Sequence, residues 1–456
     1  MNNDHTPVQS TPSTGATLTP AVPPPAPLPI DVWVGADWAD QKHSFTVRLI
    51  SGAKHTYEVE QKPERLDQFF LQLHQQHPQS RLGVCLEQSR GPLLYALMKF
   101  DFIVLYPVNP RCAADFRSAF ALSGAKSDPS DSDLLAELGQ KHHERLRPLQ
   151  VEDVSTRQLR LLVEARRGFV DQHTGSLNQL RAGLKCYYPL VVGLFEDNLE
   201  GPMAQAFLRR WPNLARLKTA SPATLRTFFY AHNSRSEEKI QGRLNAIAAA
   251  TPLTEDPAIV EPMQLQALCL VRQIALLQKT IATYDQQISQ LCQTHGESWI
   301  FEPLPGAGSV LAPRLTAAFG TARSNWSSPS DLLCLSGVVP VKKQSGQQEV
   351  VHFRWARPRF LHQTMVEFAK SSVNFCGWAK LFYEHHIAKG ESSFTVYRKL
   401  AVKWIRILWR CWTDRVAYDD LKYLRALQRR GLSMYQPLYA DLPAAPPTAV
   451  TAVNKS

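Results

Sequence analysis

The sequence predicts an α/β domain followed by mostly helical regions, and three observations carry this. Strand-like and helix-like segments alternate up to about residue 110, an apolar repeat in steps of four and three runs through 263–291, and the basic later segments have helical periodicity. Residues 31–50, "DVWVGADWADQKHSFTVRLI", are rich in Val, Trp, Phe and Thr and predict two strands around a tight turn; "HTYEVE" (55–60) predicts a third. A helix is expected over about 63–77, a buried strand at "RLGVCLE" (81–87), a helix at "PLLYALMKF" (92–100) and a strand at "FIVLYPV" (102–108). Strands alternating with helices after an opening meander make a mixed sheet, which a domain of about 110 residues accommodates.

From about 155 the pattern turns helical, and residues 156–186 fit one long helix. In the next long helix Met263, Ala267, Leu270, Ile274, Leu277, Ile281, Tyr284, Ile288 and Leu291 fall on the a and d positions of a coiled-coil seam. Such a seam serves either an intermolecular or arm-like coiled coil, the expectation adopted here, or a long helix packed within its own subunit. After "WIFEPLPGAGSVLAPRL" a third, mostly helical region runs to about 431. Its "PGAGSVLAPRLTAAFG" has the form of a helix-hairpin-helix, in which Gly306 and Gly308 let backbone N–H groups approach a phosphate. Any tight turn between helices uses the same residues.

The 456 residues are enough for two or three domains, and the net charge of +11 points to a polyanionic partner. The location of the charge is sharper than its size. Residues 340–431 hold 18 Lys plus Arg against 7 Asp plus Glu, the whole of the excess, together with five of the ten Trp (Trp355, Trp378, Trp404, Trp409, Trp412). "YRKLAVKWIRILWRCW" (397–412) sets Arg398, Lys399, Lys403, Arg406 and Arg410 on a helix whose other face is apolar. Most of its Trp are expected in the core, and the basic face is the expected nucleic-acid footprint. The eight cysteines contain no C-x-x-C pair, which argues against zinc and a disulfide framework and for reduced thiols in a cytoplasmic protein. No apolar run is long enough to span a bilayer, and the Pro/Thr-rich start lacks a signal-peptide pattern. Residues 1–30 are expected to be a disordered leader and 432–456 a tail.

"GAKSDPSDSDLLAEL" (124–138) puts three aspartates at a helix start. Asp128, Asp131 and Asp133 there are either caps and first-turn charges or part of a metal site. Asp37 ends the first strand and Glu87 closes "RLGVCLE", so in a mixed sheet both emerge at one edge. Asp128 and Asp131, three apart on a helix, can face the same point. Four hard oxygen donors suit Mg²⁺ or Mn²⁺ rather than zinc; the bland alternative is turn residues and caps.

"GADWADQKH", "CLEQSRG", "VNPRCAADFRSAFALSGAKSDPSD", "LPGAGSVLAP" and "LSGVVPVKKQSG" occur in this order. Together they resemble the DEDD transposases of the insertion-sequence family that includes bridge-RNA-guided recombinases and pilin-gene invertases. The resemblance covers about 31–431 and implies an RNase H-like (RuvC-like) domain over 31–150, a helical coiled-coil region over 151–298 and a serine-bearing transposase domain over 299–431. It puts the family's four acidic residues on Asp37, Glu87, Asp128 and Asp131, with Lys126 opening the K-[ST]-D-x-x-D signature and Asp133 left as a surface charge. It puts the nucleophilic serine on Ser345, beside Lys342 and Lys343. Where the family continues with a very basic segment and a K-x-G-N-type turn, this chain reads "QQEVVHFRWARPRFLHQ", with Arg354, Arg357 and Arg359 for charge.

The chemistry implied is attack of Ser345 on a DNA phosphate to leave a phosphoserine link, aided by a divalent metal on the acidic set. The acidic set and the serine fall in different domains, so the resemblance implies a site assembled by docking, between protomers of a homo-oligomer. Double-stranded DNA and a guide RNA are the expected partners. The rivals are a site-specific invertase, a metal-dependent junction nuclease in which water attacks, and a DNA-binding relic.

Overall fold

In the computed structural model the described residues are 28–87, 90–120, 128–196, 198–346, 348–355, 357–440 and 442. They fall into two compact units, one up to Val151 and one from Glu152.

The first unit is built on a five-stranded sheet. Strands β1 (Ile30–Asp37), β2 (Lys42–Leu49) and β3 (Lys54–Glu60) form the meander; α1 (Pro63–Gln76) leads to β4 (Arg81–Leu86) and α2 (Pro92–Leu97) to β5 (Ile103–Pro107). The strand order is β3-β2-β1-β4-β5, antiparallel within the meander and parallel from β1 to β4 to β5. This is the mixed sheet of an RNase H-like domain, as expected. Alternation along β1 sends Val32, Val34 and Ala36 into one core with Phe45, Phe70 and Leu97, while Trp33 enters a second core with Cys85, Tyr106 and Leu138. The second core is closed by α4 (Asp128–His142), which follows α3 (Pro110–Phe120).

Among its described residues the second unit is helical apart from one hairpin. Helix α5 (Val154–Tyr187) starts on Asp153, whose carboxylate accepts from Thr156 N at 2.9 Å. Five short helices, α6 (Pro189–Leu194), α7 (Pro202–Arg210), α8 (Leu214–Lys218), α9 (Pro222–Ala231) and α10 (Glu237–Ala249), make a lobe before α11 (Pro257–Thr294). Helix α11 runs back along α5: His295 meets Thr156, Asp285 meets Arg166, and Gln266 lies over Gly183.

Within the chain, that pairing covers the seam. Ala267, Leu270 and Ile274 are buried with Leu180, Leu184 and Phe207 of the same chain, and Ile288 with Leu159 and Val163. A 4-3 repeat records that one stripe of a helix is covered, not whose helix covers it.

The rest comprises α12 (Ser298–Phe301), α13 (Gly308–Phe319), α14 (Pro329–Ser336), strands β6 (Val341–Ser345) and β7 (Gln348–His352), α15 (Arg359–Phe375), α16 (Gly377–Ala388), α17 (Ser393–Asp414) and α18 (Asp420–Arg429). Trp378, Trp404 and Trp412 are fully buried here, and the indole N–H of Trp404 donates to Ser372 Oγ at 2.8 Å while that of Trp412 donates to Gly320 O at 2.7 Å. Residues 432–440 do not behave as the expected tail: Tyr435 is buried in the core, and Leu438 packs beside it. Residues 1–27 of the expected leader and 443–456 lie outside the described residues. Among the described residues no helix is long and apolar enough to cross a membrane.

Candidate functional site

The acidic edge follows from strand register. Strands β1 and β4 are parallel with Gly35 opposite Cys85 and Ala36 opposite Leu86, so Asp37 and Glu87 come next, side by side at their carboxyl ends. Alternation gives Asp37 the face of Trp33 and Gly35, and Glu87 the face of Cys85; both belong to the side that α4 covers.

Helix α4 is brought close by glycine. A Cβ on Gly35 would stand 1.8 Å from Ser132 O and 2.4 Å from Ala136 N, so helix backbone rests directly on strand backbone. Its direction is set by polar contacts. Ser132 Oγ bonds Ser44 Oγ (3.0 Å) and Thr46 Oγ1 (2.8 Å), and Ser44 is the cross-strand partner of Asp37; further along, Gln140 Nε2 donates to Leu49 O at 3.0 Å. The first turn of α4, with Asp131, therefore sits at the Asp37 end of β1.

Asp131 is 4% exposed and pairs with the Arg117 guanidinium of α3 at 2.7 Å. Asp133, assigned to surface charge, instead clamps α4 to the sheet through Arg48 (2.7 Å) and Lys54 (2.9 Å). Burial alone would raise its carboxyl pKa, but the bonds from these two cations outweigh that and hold it below the usual carboxylate range. Lys126 and the Asp128 side chain lie outside the described residues. Among the described residues no three acidic, His or Cys side chains form a ready metal cluster. The donor chemistry nonetheless fits a hard divalent ion, since the carboxylates come from two strand ends and one helix turn on one face.

Ser345 ends β6 and is exposed; it pairs with Gln348 across a two-residue turn, where Gly346 has φ 57°. This hairpin was not foreseen within a helical region. Lys342 pairs with Glu349 at 2.8 Å, and Lys343 is exposed. Gly306 (φ 81°) and Gly308 (φ 54°) do form the turn between α12 and α13; Gly306 O accepts from Ser371 Oγ at 2.7 Å, and Gly308 is exposed at the helix start.

The basic face expected of α17 is divided. Arg398 serves the fold, donating to Val338 O at 3.1 Å with its guanidinium 4.5 Å from the Phe353 ring. Lys403 lies over Phe382 at 5.0 Å, and burial lowers its pKa. Lys399 pairs with Glu391 at 2.6 Å and Arg410 with Asp414 at 2.6 Å, and both stay exposed, as does Arg406. The Arg357 guanidinium lies 4.2 Å from the same Phe353 ring and donates to Arg354 O. A helix wheel shows which face is polar; it does not show that long cationic stems are used to cover neighbouring aromatic rings.

A five-stranded mixed sheet, with Asp37 and Glu87 at the adjacent ends of β1 and β4 on the side that α4 covers, defines the first unit as an RNase H-like domain. A transposase model of the DEDD IS110 type matches residues 34–189, and a model described as the transposase of the IS116/IS110/IS902 family matches 299–384. The chain belongs to this family of insertion-sequence transposases. It is similar to a Streptomyces coelicolor protein described as the mini-circle transposase assigned to IS117, 24% identical over 86% of this chain and 96% of the relative. It is also similar to a 42 kDa protein of insertion element IS900 from Mycobacterium paratuberculosis, 22% identical over 64% and 73% of the two chains. A 43.6 kDa protein of IS110 from Streptomyces coelicolor is 23% identical over 65% and 73%.

Proposed function

We propose that this transposase cuts and exchanges strands of double-stranded DNA through Ser345, with Asp37, Glu87, Asp128 and Asp131 holding Mg²⁺ or Mn²⁺. The observation that carries the metal reading is the convergence of Asp37, Glu87 and the first turn of α4 on one sheet edge. A divalent ion held there would polarise the scissile phosphate and stabilise charge on the leaving oxygen.

Ser345 Oγ forms the new bond to phosphorus, the serine proton passes to solvent, and the bond to one DNA oxygen breaks, that oxygen taking a proton from solvent to leave as a DNA hydroxyl. The phosphoserine link conserves the phosphoester for rejoining. Its place at an exposed hairpin tip supports this role, because the nucleophile must reach a phosphate that lies on a DNA surface. The target is chosen by pairing with an element-encoded guide RNA, and the protein works as a homo-oligomer; the basic second unit and the family membership support these readings.

The test is a suicide DNA substrate. Wild type should give a covalent adduct that maps to Ser345, dependent on Mg²⁺ and lost with EDTA, while Ser345→Ala should give neither adduct nor recombinant. Nicked DNA from Ser345→Ala, with no adduct from wild type, would make water the nucleophile and the protein a junction nuclease.

A further inference from the structure

At the base of the β6–β7 hairpin a groove of about 480 Å³ is lined by Trp355, Phe394, Arg357, Arg359, His362 and Gln363, together with Val366 and Glu367. Trp355 is 81% exposed, more than any other large apolar side chain among the described residues, and Phe394 is 52% exposed. The indole is braced rather than loose. It meets the edge of Phe353 with centroids 4.9 Å apart, and the guanidinium groups of Arg357 and Arg398 lie 4.2 and 4.5 Å from the Phe353 ring. His362 donates from Nδ1 to Ser336 O at 2.9 Å, so in the neutral ring Nε2 is an acceptor.

Open aromatic faces, guanidinium groups and amide or imidazole hydrogen-bonding atoms together match a nucleobase and its phosphate. Charge selects between occupants. Arg357 and Arg359 flank the groove, and it lies in the window that holds the chain's entire positive excess, which favours a polyanion over an apolar peptide. Position narrows it further. Strand β7 ends three residues before Trp355, and a five-residue strand at ~3.4 Å per residue puts Ser345 about 14 Å from the hairpin base.

We infer that this groove stacks an unpaired base of the DNA strand that Ser345 attacks, holding it a short way from the reacting phosphate. The inference rests on the reading of Ser345 as a DNA nucleophile. It also gives a role to the segment in which "RWARPR" stands in place of the family's usual basic turn.

The test uses the full chain carrying Ser345→Ala, so that binding is read without chemistry, and single-stranded DNA containing 2-aminopurine, whose fluorescence falls on stacking. Trp355→Ala should abolish the quench and weaken single-strand binding about 5- to 100-fold, while Trp355→Phe stays within about threefold of the parent. Far-UV circular dichroism should be unchanged, because the ring is exposed. Quenching and affinity unaltered by Trp355→Ala, or no quench in the parent, would overturn the inference. So would an RNA oligonucleotide of the same sequence binding more tightly than the DNA. Absence of the Ser345 adduct in wild type would remove the nucleophile reading and leave the stacking result to stand or fall by itself.

Discussion

Gly35→Ala isolates the contact that aligns the acidic edge. The added methyl would stand 1.8 Å from Ser132 O and 2.4 Å from Ala136 N, both backbone atoms of α4, so no rotamer change can relieve it. Restoring ~3.5 Å of ordinary contact requires strand and helix to part by about 1.7 Å. Overpacking of this kind costs about 1–3 kcal/mol, equivalent to a fall in melting temperature of roughly 3–12 °C for a unit of this size. The functional loss should be larger than the loss of stability suggests. Asp131 rides on the displaced turn while Asp37 stays with the strand, and a 1 Å misplacement of reacting groups costs on the order of a hundredfold in rate. The assay is strand exchange at a temperature where circular dichroism shows the variant folded, beside electrophoretic measurement of DNA binding, which should be retained. Gly168→Ala is the control. Nothing lies within 4 Å of its added methyl, it sits on the exposed side of α5, and it should stabilise by about 0.5–1 kcal/mol. A Gly35→Ala protein that melts and recombines like wild type would refute the backbone-on-backbone docking of α4.

Ile274→Ala should lower stability by about 2–5 kcal/mol, since the side chain is wholly buried against α5 and α7 of its own chain, while light scattering shows an unchanged oligomeric mass; dissociation without loss of stability would return the seam to a subunit interface. Acidification from pH 7.5 to 5.5 should lower the melting temperature. Burial holds the pKa of His295 below the usual imidazole value despite Asp153, Glu297 and Glu152 nearby, and its Nδ1 accepts from Glu297 N at 3.2 Å while Nε2 bonds Thr156 Oγ1 at 2.8 Å. The unfolded chain thus gains a proton near pH 6.5 that the folded form resists, so stability is full above that pH and is lost below it. His43 and His362, also lowered by burial, act in the same direction. Differential scanning calorimetry of His295→Gln should show a shallower slope over this window; an identical slope would clear His295 of the effect.

Strand and helix order were legible because their signals are local. Val, Trp and Phe alternating along 31–50 and the apolar run at 82–86 specify strands by side-chain period, and Asp37 and Glu87 could be placed at one edge because parallel neighbours end together. Family resemblance in the ordered motifs singled out Ser345, which period and spacing alone leave as a turn residue. Tertiary structure decided what depends on which surfaces meet. The heptads of α11 carry no label for their partner, and α5 of the same chain covers them. The cations of α17 look equivalent on a helical wheel, yet Arg398 and Lys403 are committed to Phe353 and Phe382 while Arg406 faces solvent. Asp131 and Asp133 stand two residues apart in one helical turn, and only packing sends one to the acidic edge beside Arg117 and the other to Arg48 and Lys54. Local periodicity determines the shape of each element; the identity of its neighbour is set by close packing, which involves residues far apart in the chain.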